Sequence, residues 1–407
     1  MADLDDILAA HVGDGSGDGG TVPGAVVLVA RGDQVDARAA GRADTAGGPP
    51  VARDSIFRIA SVTKPVAAAA VMMLVEDGRI ALDDPIGTWL PELAAPSVVR
   101  TPGSPIDDTV PAERSITVRD LLEFRAGWGF PTDFTLPVLA PLFGVLQQGA
   151  PRPQLAPETD TWIRELARVP MIHQPGEAWL YNTCSDIQGV LIARASGQGL
   201  PEFLQERIFE PLGMVDTGFA VPTGKLDRFT SLYRAPEGGG LERVDAPDGQ
   251  WSSLPPFPSG AGGLVSTADD LLAFGRMLLS GGSAGDRRLL SAESVREMIT
   301  NRLPSEQREV SALFLEGQGW GYGGAVDVAR VHPWSVPGRY GWVGGTGTSA
   351  HIIPATGTVA VLLTQVEMRG PTSPAVMRDF WRYAAGRPGG LEVPGPGLRG
   401  PGARGTE

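Results

Sequence analysis

A serine three residues ahead of a lysine, Ser61 and Lys64, stands at the mouth of an apolar run from Val66 to Leu74. On a helix, positions i and i+3 lie on neighbouring faces, so the Lys64 amine can reach the Ser61 hydroxyl. A pair so spaced is usually a solvated surface pattern, but two features point elsewhere. Of 34 basic residues only two are lysines, Lys64 and Lys225. Lys64 also sits in an almost wholly apolar stretch, a poor place for a purely structural cation. Arginine stays protonated and cannot accept a proton, whereas lysine can once its pKa falls. Moving an amine from about 10.4 to near 7 requires roughly 4 kcal/mol. Burial and the positive end of a helix dipole both act in that direction. The chemistry implied is a serine nucleophile that passes its proton to a neutral lysine.

The elements that position this pair follow from pattern. Residues 2–12 read as a short helix with Leu4, Ile7, Leu8 and Val12 on one face. Residues 25–31 and 34–40 flank Gly32-Asp33 as a hairpin, and 348–353 and 358–365 flank Pro354-Ala-Thr-Gly357 as another. Helices are expected after Ser61 to Asp77-Gly78, at 160–169, at 186–195, at 201–209, from Ser266-Thr-Ala-Asp269 to Leu279, at 292–300 and at 374–385. Residues 129–160 and 234–262 look loop-like. The first of these carries Phe130, Phe134, Leu136, Leu139, Leu142 and Phe143, and a loop that apolar must cover something.

Strands thus gather at both ends of the chain and helices in the middle. The expected fold is α+β: a mostly antiparallel sheet drawn from both termini with flanking helices, and an inserted, mainly helical region. Residues 1–60 and 262–385 would form the sheet-containing unit and 61–261 the helical region, with the Ser61 helix at their junction. Residues 386–407, rich in Gly and Pro, read as a disordered tail.

A net charge of −13 argues against nucleic acid and anionic membrane surfaces as partners. There is no apolar run of 18 residues for a membrane span. The N-terminus lacks a basic segment followed by an apolar one, so the cytoplasm is the expected location. The single cysteine, Cys184, allows no internal disulfide. His11, His173, His332 and His351 show neither metal-ligand spacing nor a Ser-His-Asp pattern, and no cofactor is expected.

The stretch Phe57-Arg-Ile-Ala-Ser61-Val-Thr-Lys64-Pro resembles the serine motif of class C β-lactamases and their relatives. Those relatives include D-alanyl-D-alanine carboxypeptidases, β-lactamase-like (family VIII) carboxylesterases and amide hydrolases. The resemblance spans roughly residues 3–385 and includes Pro23-Gly24-Ala, Gly262-Gly-Leu-Val-Ser-Thr-Ala-Asp and Gly341-Trp-Val-Gly-Gly-Thr-Gly-Thr-Ser349. It implies a β-lactamase/penicillin-binding-protein-like fold. It also implies a tyrosine proton handler, and Tyr181 in Pro175-Gly176-Glu-Ala-Trp-Leu-Tyr181-Asn182-Thr183 takes that place, with Thr183 where the family has asparagine. Trp342-Val343-Gly344 corresponds to the tryptophan variant of the third motif. Its following amide, on Gly345, would join that of Ser61 as an oxyanion hole.

Together these imply a serine hydrolase acting on a small-molecule ester or amide, with a short-chain carboxylic ester preferred. Ser61, Lys64 and Tyr181 would be catalytic, and Trp342, Gly344, Phe130 and Phe134 would bind substrate. The alternatives are a β-lactamase or D-amino-acid peptide hydrolase, and a non-catalytic binding homologue. Where β-lactamases have a lysine that meets the substrate carboxylate, this chain has Trp342, and Arg339 could supply the cation instead.

Overall fold

The computed structural model describes residues 3–13, 21–149 and 152–386. Two stretches distant in sequence build one sheet. Its strands are β1 (Gly24–Arg31), β2 (Gln34–Gly41), β3 (Gly319–Trp320), β4 (Ala325–Val326), β5 (Tyr340–Gly344), β6 (Thr348–Ile353) and β7 (Thr358–Thr364). They form a seven-stranded sheet in the order β3-β4-β5-β6-β7-β1-β2, every neighbouring pair antiparallel. The two ends of the chain meet where Val27 of β1 lies opposite Leu362 of β7.

Five helices cover the sheet or carry the site: α1 (Leu4–His11), α2 (Thr63–Glu76), α3 (Thr183–Ser196), α4 (Ala268–Leu279) and α5 (Ala375–Ala385). Side chains alternate across a strand, and here both faces are covered. Ala25, Val27 and Val29 pack with Leu4, Ile7 and Leu8 of α1 and with Val376, Met377 and Phe380 of α5. Val26, Leu28 and Ala30 face the larger core that holds α2 and α4. His11 Nε2 meets Asp379 at 2.8 Å and ties α1 to α5. Fully burying one large aliphatic side chain stabilises by about 1.5–3 kcal/mol, which is why an unbroken apolar run such as β1 belongs in mid-sheet.

Helix α2 is buried from Thr63 to Leu74, so it has no polar face at all. Such a helix must sit between layers: the sheet side lies against one flank and α3 against another. Its N-terminal end is therefore fixed relative to both β5 and α3.

Several expectations are revised. Ser61 lies in a 3-10 turn, Ala60–Val62, that feeds α2, so the Ser61–Lys64 pair spans a 3-10 to α junction. Positions i and i+3 eclipse in a 3-10 turn, which brings the two side chains together as well as an α-helix would. Residues 129–160 are not wholly irregular: Leu139–Gly144 is helical, with Leu139 and Leu142 buried. Residues 234–262 include a strand, Glu242–Asp245, paired with Leu232–Arg234. Helix α3 starts at Thr183, three residues before the expected Asp186, and ends at the left-handed Gly197. Strands β3 and β4 and the helices at Ser305–Val310 and Ala312–Leu315 have no counterpart among the expected elements. Of the tail expected at 386–407, all but Gly386 lies outside the described residues.

Candidate active site

The approach to Ser61 is held from three sides. Phe57–Arg58 pairs with Val265–Ser266, and Ile59 N–H donates to Leu264 O at 3.0 Å. Thr346 Oγ1 donates to Arg58 O at 2.6 Å and Thr348 Oγ1 to Ile59 O at 2.9 Å. A Cβ on Gly344 would stand 2.3 Å from Ile59 O, so only glycine lets β5 come this close. Ala60, immediately before the serine, has φ +42°, a left-handed conformation unusual outside glycine. Strain of this kind persists only where the surroundings impose it.

Lys64 is fully buried, and its Nζ has three oxygen neighbours. Ser61 Oγ is at 2.8 Å, Asn182 Oδ1 at 2.8 Å and Ala261 O at 2.6 Å. Two of these are carbonyl oxygens, which only accept; the third is a hydroxyl, which can also donate. A neutral amine has two N–H groups and one lone pair. With its hydrogens on Asn182 and Ala261, its lone pair is left facing the Ser61 hydroxyl. Burial pushes the Lys64 ammonium down to about 7, with the Asp186 carboxylate pulling the other way. At neutral pH a substantial fraction of the amine is thus unprotonated.

Asn182 reaches Lys64 from a strained backbone. It has φ +82° and ψ −66°, and Thr183 N–H bonds back to Tyr181 O at 3.2 Å, which closes a γ-turn. Asn tolerates positive φ better than most side chains. The turn breaks the chain between Tyr181, paired with Phe130 through both backbone groups, and the start of α3. Thr183, where the family has its asparagine, is buried and donates to Gln148 Oε1 at 2.7 Å.

Tyr181 stands beside Ser61, its hydroxyl accepting from Trp342 Nε1 at 2.7 Å. Burial raises its pKa to about 12, only partly offset by hydrogen bonds with Ser61 and Trp342. The Tyr181 hydroxyl therefore stays protonated at neutral pH.

Sequence reasoning misses Asp186, one turn into α3. It is buried, accepts from Ser259 Oγ at 2.6 Å, Ala261 N at 3.2 Å and Gln148 Nε2 at 3.1 Å, and so fixes the loop that carries the Ala261 carbonyl. Burial raises its pKa, while its hydrogen bonds and Lys64 oppose the rise. No local pattern marks it, because Ser259 is 73 residues away along the chain.

These groups border a cavity of about 400 Å³. Ser61, Tyr181, Asn182, Asp186 and Gly345 line it, with Phe130, Leu146, Trp251 and Phe257 as its main apolar wall. A Cβ on Gly345 would meet nothing, so its backbone is open to the cavity. Of the residues expected to bind substrate, Phe130 lies in this wall. Phe134 is outside it, 46% exposed, and packs on Phe130 at 6.3 Å. Trp342 is behind Tyr181, and Gly344 is against Ile59. Arg339 is not available as a cation: it is buried, paired to Asp327 at 3.0 Å and set over Trp381. Among the described residues there is no cluster of His, Cys, Asp and Glu arranged to hold a metal, and no helix long and apolar enough to cross a membrane.

The fold, with its antiparallel sheet and a buried helix led by Ser61, is that of the serine β-lactamases and penicillin-binding proteins. The profile of the family described as Beta-lactamase matches residues 5–379, and the chain belongs to that family. It is on that footing an enzyme, a serine hydrolase. Protein Rv1367c of Mycobacterium tuberculosis is 37% identical over 359 residues, covering 86% of this chain and 87% of its own. Esterase EstB of Burkholderia gladioli is 32% identical over 372 residues, covering 86% and 88%. Among solved structures, EstCE1, described as a hydrolase with promiscuous acyltransferase activity, superposes with a TM-score of 0.74 at 25% identity, covering 90% of this chain and 94% of that one.

Proposed function

We propose that this protein is a carboxylesterase that cleaves short-chain esters through an acyl-enzyme on Ser61. The observation that carries the reading is the environment of Lys64 Nζ, with two carbonyl acceptors and the Ser61 hydroxyl. Neutral Lys64 takes the Ser61 proton as Oγ attacks the ester carbonyl. The amides of Ser61 and Gly345 hold the developing oxyanion. Tyr181 gives its proton to the leaving alcohol and recovers one from the Lys64 ammonium. Water then attacks the acyl-enzyme, with the same groups moving protons in reverse.

An ester is favoured over a β-lactam by what surrounds the site. Trp342 brings no cation to the third motif, and Arg339 is committed to Asp327. Thr183 is turned to Gln148. The one arginine among the described lining residues, Arg152, comes from the loop after residue 151 and not from β5. A lactam carboxylate therefore meets no cation on β5, where the third motif of β-lactamases would supply one, whereas a neutral ester needs none. The volume, about 400 Å³, is near the lower end of the ~300–1,000 Å³ typical of small-molecule sites. The esterase named among the relatives, EstB, agrees with this reading.

The test is kcat/KM for p-nitrophenyl acetate and butyrate against a chromogenic cephalosporin, on wild type and Ser61→Ala. Ready ester hydrolysis that disappears with Ser61 is expected. A cephalosporin value equal to or above the ester values would overturn the assignment.

A further inference from the structure

Tyr181 borders both the Ser61 cavity and a second aromatic surface. The Lys64 ammonium is 4.7 Å from the centre of its ring. The Phe314 ring is 5.0 Å from the same centre, inclined by 30°. Lys64 Nζ and the Phe314 ring are thus both neighbours of the Tyr181 ring, Nζ bonded to Ser61 in the cavity and Phe314 stacked on the tyrosine. Phe314 belongs to the short helix Ala312–Leu315. Phe134 approaches it to 6.1 Å, and also lies 6.3 Å from Phe130 and 6.5 Å from Phe143. Phe130 is nearly buried, Phe314 half-buried, and Phe134 exposed, with Leu313 exposed beside Phe314. The aromatic surface thus begins in the cavity wall at Phe130 and runs outward past Tyr181 to Phe134 and Phe314.

We propose that Phe134 and Phe314 form a leaving-group subsite that accepts a flat, apolar alcohol, an aryl group above all. This rests on the esterase reading of Ser61 and Tyr181. When the tetrahedral intermediate collapses, the bond from the carbonyl carbon to the alcohol oxygen breaks. The electron pair stays on that oxygen, which takes the Tyr181 proton. The alcohol must then lie within hydrogen-bonding reach of the Tyr181 hydroxyl. On this proposal the acyl part, attached to Ser61, takes the end of the cavity lined by Trp251, Phe257 and Leu146. From the Phe130 wall beside Tyr181 the aromatic surface continues outward to the exposed Phe134 and to Phe314, and an alcohol longer than the cavity can follow it. Single exposed apolar side chains are ordinary, but several together beside a proton donor make a contiguous face. Aromatic rings at 5–7 Å separations favour a further ring in an offset or edge-on arrangement.

The test compares two acetates that differ only in the alcohol, 2-naphthyl acetate and ethyl acetate, on wild type, Phe134→Ala, Phe314→Ala and Phe314→Tyr. The quantity read is the ratio of kcat/KM for the aryl ester over the ethyl ester. Each alanine substitution should lower that ratio about fivefold, mostly through KM for the aryl ester, and Phe314→Tyr should restore it. Phe314 also stacks on Tyr181, so its loss could slow both esters together. Phe134 contacts Phe130, Phe143 and Phe314 and keeps the test free of that effect. Unchanged ratios in both alanine variants would overturn the subsite and leave the surface to another use, such as a protein partner, with the esterase reading intact. Wild-type protein that turned over neither acetate would refute the esterase reading, and the subsite with it.

Discussion

The indole Nε1–H of Trp342 lies 2.7 Å from the hydroxyl oxygen of Tyr181. An indole nitrogen only donates, so the tyrosine oxygen must accept there. Its own proton is thereby directed away from Trp342, toward Ser61 and whatever is bonded to it. Burial keeps that proton in place, with the pKa raised to about 12. Tyr181 is therefore poised to give a proton, while Lys64, lowered to about 7, is poised to take one. On the proposed mechanism, two groups whose environments push their pKa values in opposite directions divide the acid and base work.

That division fixes a pH dependence. Lys64 accepts a proton only when neutral, so kcat/KM should rise with pH through about 7 and level off above it. Lys64→Arg should be as damaging as Lys64→Ala, each lowering kcat by about 10²–10⁴-fold, because a guanidinium stays protonated. Initial rates between pH 5 and 9 for the three proteins decide this. An arginine variant close to wild type would leave Lys64 acting only as a charge.

The position of that rising limb should respond to Lys64's neighbours in opposite senses. Asn182→Asp places a carboxylate where Oδ1 now accepts from Nζ at 2.8 Å. It stabilises the ammonium, so the limb should move up by about 1–3 pH units. Asp186→Asn removes the buried carboxylate that pulls the Lys64 pKa up, so the limb should move down. Aspartate keeps the tolerance for positive φ that position 182 requires, and asparagine keeps acceptor capacity for Ser259 and Ala261. Profiles that move together, or not at all, would assign the limb to a different group.

Ser61→Ala should remove hydrolysis and labelling by a fluorophosphonate probe while far-UV circular dichroism and thermal melting stay near wild type. Ser61 is half-buried and its side chain is small, so little packing is lost. Retention of more than a few per cent of activity on p-nitrophenyl acetate would require another nucleophile.

What could be read from the sequence, and what could not, depends on the range of each signal. Ser61 and Lys64 are three residues apart, and the hairpins at 24–41 and 348–364 declare themselves by short-range alternation. Strands β3 and β4 are two residues each, too short for any period to show. The helix Ser305–Val310 buries none of its residues, so it has no apolar stripe to find. Asp186 and Asn182 act through partners 73 and 118 positions away, and no window of sequence joins them. The expectation for Arg339 was open to correction from spacing alone. It precedes Trp342 by three, and an odd separation along an extended chain puts two side chains on opposite faces. Trp342 accordingly faces Tyr181, while Arg339 faces Asp327 and Trp381.

The contact between Trp342 and Tyr181 leads to a last prediction, one that separates chemistry from packing. Trp342→Phe keeps an aromatic ring beside Tyr181 but removes the N–H. The tyrosine oxygen then loses the hydrogen bond that opposes its raised pKa, so Tyr181 becomes a weaker acid. A poor leaving group such as ethoxide needs the proton as it departs. The p-nitrophenolate ion is stable without one. The substitution should therefore lower kcat/KM, which reports acylation and departure of the alcohol, by about tenfold for ethyl acetate, the scale of one hydrogen bond of roughly 1.4 kcal/mol. Hydrolysis of p-nitrophenyl acetate should fall much less. Tyr181→Phe should show the same asymmetry more strongly on the leaving-group side. Trp342 is almost fully buried and packs edge-on against Trp320 at 4.9 Å, so some stability will go with it. A packing defect slows every substrate alike, whereas loss of a proton donor's support slows only those that need the proton. Equal losses on the two acetates would reduce Trp342 to a filler of space and return the control of Tyr181 to burial alone.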